Sequence, residues 1–535
     1  MRGLGVIRER IDPLGRDWLG FVEPSLVRYA TSVCRHVVGV GALVASLGGC
    51  AVGPNFTPPA APTANGYTAA KTAPDLRPGS GEPSQQVVIG EAIPEAWWQL
   101  FRSPDLDRVV REAIAGSPTI ESARARLAAS QQAVAVANGA FYPQMDASAL
   151  AEREKGPPFA FGLLHPRPVP TYNLYSFGPT VSFVADVFGV TTRRVEQQAA
   201  KADNEAYQLA AAQLTVSGDA VAAALTIASA RLQIEAIDGV VADDRKNLAL
   251  VQELYAAGKV DRTDLLLAQA QLENDRTQLP PLKQEVAAAE DALAILVGKS
   301  PAEWTPPAFT LDAFTLPADL PLSLPSTLVH QRPDIMAAEA EVHASSAAIG
   351  VAVGEMYPTV TLSAALDPTA ITTGALFGGS NLAWNALSGI TAPIFHGGAL
   401  EAQKQESIDE FRASLGTYRQ TVLQGLGQVA DILRALGHDA ELVEAERRAL
   451  DASGAALALQ RERYAAGKVN VLRLLDAERS YQQARVGYAR ARAQRYLDSA
   501  QLFVAMGGGW KTDDIRLRRA EQRVSAAHTD SGDKP

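Results

Sequence analysis

Cysteine is almost missing from this chain: there are two among 535 residues, Cys34 and Cys50, both near the start, so no disulfide framework can hold the body together. Aromatic residues make up only 6% and charged residues 20%, while Ala fills long stretches between sparse Gly and Pro, a composition suited to long, closely packed helices. The net charge is −10, without the clustered Lys and Arg that a phosphate backbone needs, which excludes nucleic acid as a partner. The seven histidines are scattered, and HExxH, paired metal spacing and a GxSxG elbow are all missing. No enzyme, metal or cofactor is expected. Gly298-Lys299-Ser300 ends like a phosphate loop, but Leu293 stands where its first glycine belongs, so a helix terminus is expected there. Beyond the N-terminal segment no run of 18 apolar residues occurs, and no transmembrane helix is expected. Any bilayer crossing must then use strands.

The N-terminal segment reads as an export signal. Arg28 and Arg35 precede the apolar run Val37 to Leu47, which closes on Leu47-Gly48-Gly49-Cys50. This resembles a lipobox with Cys50 as the lipidation site and first mature residue, placing 1–49 in the signal peptide. Residues 1–27, with Trp18 and Glu23, do not suit an n-region, and a start near Leu26 or Val27 fits better. Acylation would anchor the chain without making it span the membrane, and Ala51 after the cysteine fits sorting to the outer membrane. Residues 50–92, rich in Pro, Gly, Ala and Thr, read as a lipidated extended tether, with the ordered body beginning near Trp97 and Trp98.

An internal echo organises the rest. The hexapeptide YAAGKV occurs at Tyr255 to Val260 and again at Tyr464 to Val469. Pro118, Ile120, Tyr142 and Pro143 recur in order as Pro333, Ile335, Tyr357 and Pro358. Landmarks that keep their order at a nearly constant step point to a duplicated unit. The first repeat is expected at 93–299, with strands at about 143–187 and a tip turn at about 255–261. The second is expected at 326–510, with strands at about 358–395 and a tip turn at about 464–470. A Pro-rich linker at 300–325 joins them, and 511–535 is a tail.

Helical patterning runs over 104–114, 118–140, 190–255, 261–297, 333–355, 398–463 and 470–506, with Pro280 and Pro281 breaking the fourth. The helix over 398–463 would reach roughly 100 Å at about 1.5 Å per residue. The shorter helices of the same half, laid end to end, reach roughly 90 Å. Each half thus matches one long helix against two stacked short ones. Gly425, Gly427 and Gly437 inside these helices cost about 1 kcal/mol each relative to Ala, which close helix approach would offset.

Over 173–187, Tyr175, Phe177, Val181, Phe183, Ala185 and Val187 alternate with Ser176, Thr180, Ser182 and Asp186. Val360, Leu362, Ala364 and Leu366 alternate with Thr359, Thr361 and Ser363, while Leu382, Trp384, Ile390 and Ile394 mark a fourth strand. A strand starting at Pro143 carries the weakest pattern. Alternation of this kind suits a wall with lipid on one side and water on the other. Each half supplies one hairpin, with loops at about 156–171 and 367–380. Four strands cannot close a barrel, so lipid-facing strands would require oligomerisation.

Several motifs together resemble the TolC-like outer-membrane efflux proteins, specifically the lipidated, NodT-like branch that serves as outer-membrane factor of RND-type pumps. They are Cys50-Ala-Val-Gly-Pro-Asn-Phe, Trp97-Trp98 with Phe101 and Leu106, the Phe141-Tyr142-Pro143 and Met356-Tyr357-Pro358 junctions, and both Gly turns. The resemblance covers about residues 50–510. It implies a mainly α fold with a membrane β-barrel portion, an internally duplicated α-β-α hairpin unit, and a homotrimer forming a 12-stranded β-barrel continued by a periplasmic α-helical tunnel. Segments 51–116, 300–330 and beyond 507 would form a belt around it. The implied partners are outer-membrane lipid, a periplasmic adaptor and an inner-membrane pump. The adaptor-contact tips map to Ala257, Gly258, Lys259, Val260, Ala466, Gly467, Lys468 and Val469, and the tunnel constriction to Leu472 and Asp476. Arg473 stands where some relatives carry another acid.

Two other readings share features of this sequence. A duct for type I protein secretion would keep the fold and change the cargo. A lipid-tethered periplasmic coiled-coil adaptor or spacer would also use long helices, but with one helical hairpin where this chain has two.

Overall fold

The computed structural model describes residues 51–64, 66–68, 76, 84–91, 93–155, 171–378 and 381–510. The signal segment with Cys50, the tail at 511–535 and nearly all of the expected loop at 156–171 lie outside the described residues. In chain order the main elements are β1 (Gln86–Ile89), α1 (Pro104–Gly116), α2 (Pro118–Gly139), β2 (Gln144–Glu154), β3 (Tyr172–Ala185), α3 (Val190–Ala256), α4 (Arg262–Arg276) and α5 (Leu279–Leu296). They continue with β4 (Asp319–Leu322), α6 (Pro333–Gly354), β5 (Thr359–Leu366), β6 (Thr369–Ala370), β7 (Trp384–Thr391), α7 (Ala399–Ala465) and α8 (Val471–Ala505). The described residues pack as two units: one takes 51–52, Pro143–Thr192 and Gly354–Ile394, and the other takes the remaining described residues.

The first unit is a sheet. Its strands run β2-β3-β5-β7, all antiparallel, with β6 beside β3. The register sets Met145 against Val181, Phe183 against Leu362, Leu366 against Trp384 and Val360 against Ile390. Because paired residues project to the same side and alternate along each strand, these eight side chains share one face. Asp146 paired with Thr180, and Ser182 paired with Ser363, lie on the other. Among the described residues nothing covers this face at its most open points: Met145, Trp384 and Ile390 are each 74% exposed. Leu150 and Leu387 are apolar exceptions on the polar side. Among the described residues, β2 and β7 each keep one unpaired edge. Residues following Cys50 dock on this unit, where the Val52 amide donates to the Phe188 carbonyl at 3.1 Å and Phe188 stacks on Tyr357 at 4.9 Å.

The second unit is helical. Its core gathers Trp97, Phe101, Leu106, Leu225, Leu293 and Phe503, with Trp97 stacked on Phe503 at 5.5 Å. Local signals start its helices. Pro104 opens α1 behind Ser103, whose side chain accepts from the Leu106 amide, and Asp261 forms a capping box with Asp264 at α4. The expected break falls after Arg276, and Pro280 and Pro281 sit in the first turn of α5, where their missing amides leave no hydrogen bond unmade. The long helices α3 and α7 both have 67 residues, and α2 and α6 both have 22. An 18-residue window of α3 is long and apolar enough by composition to cross a membrane, contrary to the expectation of no such helix; 61% of it is buried, and packing within the protein accounts for its character.

The short helices do stack end to end. At the end of α5, Gly298 takes φ +76° and closes a Schellman motif, with the Gly298 amide on the Ile295 carbonyl and Lys299 on Ala294. A Cβ on Gly298 would lie 2.1 Å from the Gly116 carbonyl oxygen and 3.4 Å from Pro118, the first residue of α2. The expected helix terminus is therefore also a joint. At the end of α8, Gly507 at φ +93° repeats the motif, and its Cβ would lie 2.9 Å from the Gln331 carbonyl beside the start of α6. Arg332 completes that joint, donating to the Ala505 carbonyl at 2.7 Å.

The segment 50–92 differs from a bare tether. Asn55 accepts from Arg193 at 2.8 Å, Phe56 stacks on His343 at 4.4 Å, and His343 meets Glu196 at 3.0 Å. Further on, β1 pairs in parallel with β4, Gln86 opposite Asp319. The ordered body thus begins before Trp97.

Of the helix glycines, Gly425 is packed, its Cβ position 3.2 Å from Arg332 Nε, whereas Gly427 has nothing within 4 Å. Gly427→Ala is accordingly expected to stabilise the chain by about 0.5–1 kcal/mol, by removing backbone freedom from the unfolded state. Denaturant unfolding of the purified protein measures this.

Candidate functional site: the helix tips and the first turns of α8

At the far end of α3, Gly258 adopts φ +67°, and the chain reverses through a Schellman motif, Gly258 on the Tyr255 carbonyl and Lys259 on Leu254. At the end of α7, Gly467 adopts the same φ of +67°, with Gly467 on Tyr464 and Lys468 on Arg463. The positive φ requires glycine; the surroundings do not, because a Cβ on either residue meets nothing within 4 Å. Ala257, Gly258 and Lys259 are exposed, as are Ala466, Gly467 and Lys468, while Val260 and Val469 are half-buried. The two turns are tied together: Val251, Ala268 and Val471 form one apolar cluster, with Val260 and Tyr464 packed against it. The eight tip residues predicted from sequence therefore form two neighbouring, solvent-facing turns.

The predicted constriction residues follow immediately. Asn470 caps α8 by accepting from the Arg473 amide at 3.2 Å. Val471 and Leu474 turn inward, and Leu472, Arg473 and Asp476 share the exposed side. Leu472 and Asp476 lie one helical turn apart there. Asp476 accepts from Arg479 at 2.6 Å on its own helix.

Sequence reasoning missed the buried acids deeper in the same unit. Asp244 of α3 lies against Asp275 of α4, and Asp439 of α7 against Asp498 of α8, all four buried. Burial, then the neighbouring carboxyl, pushes Asp244 up to about 7 and Asp439 up to about 8, with Arg495 opposing the rise at Asp439. Glu478 is buried between Asn247 and Arg461, which both donate to it. Acids at inward positions of an Ala-rich helix are the one trace they leave in sequence, and that trace cannot name the partner. Among the described residues, no group of His, Cys, Asp and Glu is arranged to hold a metal ion.

Comparison with known proteins gives a consistent result. The family model for outer membrane efflux proteins matches residues 109–299 and 324–508. The pyoverdine export outer membrane protein OpmQ of Pseudomonas aeruginosa is 27% identical over 455 residues, covering 83% of this chain and 95% of that protein. Nodulation protein T of Rhizobium leguminosarum bv. viciae is 26% identical over 496 residues, covering 90% and 95%. Among solved structures, the outer-membrane channel OprN superposes with a TM-score of 0.77 at 26% identity, covering 86% of this chain and all of that one. The CmeC outer membrane channel of Campylobacter jejuni gives 0.77 at 20% identity, a likeness of fold.

Proposed function

The chain belongs to the outer membrane efflux protein family, and from that premise we propose that it is the outer-membrane channel of a tripartite efflux system. It passively conducts substrates handed over by an inner-membrane pump and a periplasmic adaptor. The observation that carries this reading is the sheet, which among the described residues has one uncovered apolar face and two unpaired edges, borne by a chain that also builds two 67-residue helices. In hydrocarbon an open edge costs several kcal/mol per unsatisfied group, so such a sheet must close with other copies. Three chains supply a 12-stranded barrel, polar side inward, with the helices as its periplasmic tunnel.

The two halves act as copies of one ancestral unit. Support comes from the equal lengths of α3 and α7 and of α2 and α6, the paired Schellman turns, and the two separate family matches. Cys50 carries the lipid, and docking of Val52 on Phe188 holds the following residues at a strand-to-helix junction.

The exposed turns at Ala257 to Val260 and Ala466 to Val469 receive the adaptor, their bare glycines admitting a partner backbone. Leu472, Arg473 and Asp476 line the constriction. Three Asp476 carboxylates around a narrow axis would attract cations and repel one another, and Arg479 moderates that repulsion. Asp476→Ala is expected to raise ion conductance severalfold in planar bilayers and to sensitise cells to vancomycin. Unchanged conductance together with unchanged sensitivity would remove Asp476 from the constriction. Deletion of the gene, followed by susceptibility profiling across dyes, detergents, antibiotics and metals, tests the function itself; an unaltered profile counts against efflux.

A further inference from the structure

The first composite rod is interrupted between α4 and α5, and a carboxyl pair sits at the break. Asp275, in the last turn of α4, is 7% exposed and accepts from Gln271 at 2.7 Å and from Gln278, across the break, at 2.9 Å. Asp244 of α3 is 6% exposed, within hydrogen-bonding reach of Asp275, and its Oδ2 has no hydrogen-bond partner. The charged groups facing Asp244 are Asp275 from α4 and Glu478 from α8. Arg461 of α7 stands behind Glu478 and is bonded to it, and Arg479 of α8 is bonded to Asp476. Gln482 of α8, 7% exposed, also faces Asp244 and opposes the rise in its proton affinity. Beside the pair lies a cavity of about 340 Å³ lined by Asp275, Gln278, Arg479, Gln482 and Arg490, which gives water and protons a way in.

Two ionised carboxylates cannot share that space without a cation between them, whereas one shared proton turns repulsion into a hydrogen bond. We propose that Asp244 and Asp275 form a proton-operated latch: protonated, it clamps the helix break to α3; deprotonated, it releases α4 together with the tip turn that precedes it. The sign follows from linkage. Asp244 is raised from 3.8 to about 7 in the folded chain, so across that interval the folded state keeps a proton that the unfolded chain has lost, and stability falls as pH rises. The Asp439–Asp498 pair is the internal control. It joins two unbroken helices, and Arg495 faces it.

Hydrogen exchange of the full-length protein in detergent, read by mass spectrometry at pH 6 and pH 8.5 and corrected for intrinsic rates, tests the latch. Peptides covering 262–278 are expected to lose roughly tenfold or more protection at the higher pH, the equivalent of one pKa unit or more. In Asp244→Asn they should keep the pH 6 protection at both values, since the amide stays neutral and can still bond Asp275. Asp439→Asn should leave the wild-type pH response of 262–278 unchanged. Protection that is independent of pH in the wild type, or a pH response surviving in both Asp244→Asn and Asp275→Asn, overturns the proposal. Exchange reports on helix opening and not on transport, so this result is separate from the fate of the channel reading.

Discussion

Gly298→Ala is expected to destabilise the protein by about 2–4 kcal/mol, while the same change at Gly467 costs about 1 kcal/mol. Both glycines terminate a helix in the same motif, at φ +76° and +67°, so the backbone penalty is similar. Their surroundings differ. At Gly298 the new methyl would lie 2.1 Å from the Gly116 carbonyl oxygen, which is backbone and cannot step aside without separating α5 from α2. At Gly467 it enters open space. Denaturant unfolding of the two variants side by side measures the difference, and equal losses would show that the joint yields easily. Gly507, with 2.9 Å to the Gln331 carbonyl, should fall between them.

The order reverses when transport is measured. Gly467→Glu is expected to abolish resistance in cells that depend on this protein for efflux, while leaving the purified protein folded and the proposed trimer intact. Alanine at the same site should act mildly. A Cβ at this position meets nothing within 4 Å, so a large loss with the fold intact would come from a partner that needs the turn bare and uncharged. Gly258→Glu should behave likewise, because its turn is equally exposed and shares one apolar cluster with the other. Retained resistance with normal oligomer would end the assignment of the tips as adaptor contacts.

Local chemistry made much of this legible from residues alone. A glycine before Lys and Val after a long Ala-rich run can do little except end a helix, and the structure places Gly258 and Gly467 at those ends. Alternation around Phe183 and Leu362 foretold a two-faced sheet, and the register unites those two side chains. The strand starting at Pro143 was weak because Leu150 falls on its polar side and Arg153 on its apolar one; pairing along its full length with β3 supplies what its own sequence lacks. Leu382 and Ile394 matched the pattern but fall outside β7. Contacts distant in sequence left no local mark. β1 has four residues, and its partner β4 contains Pro321, so neither resembles a strand until the other is beside it. Arg193, Glu196 and His343 are unremarkable singly, and they meet Asn55 and Phe56 only in the fold. The same holds for Asp244 with Asp275, where burial first and the neighbouring carboxyl second give an ordinary aspartate its altered proton affinity.

The unpaired edges of β2 and β7 carry a kinetic consequence. A lone copy entering a bilayer would drag two rows of unsatisfied amides and carbonyls into hydrocarbon, so no stably inserted single chain exists to wait for its companions. Where copies close the barrel as proposed, membrane entry and association collapse into one step, whose yield depends steeply on how many copies arrive together. Reducing expression should therefore deplete functional channels more than proportionally, with the excess held back as unassembled protein exposed to proteases.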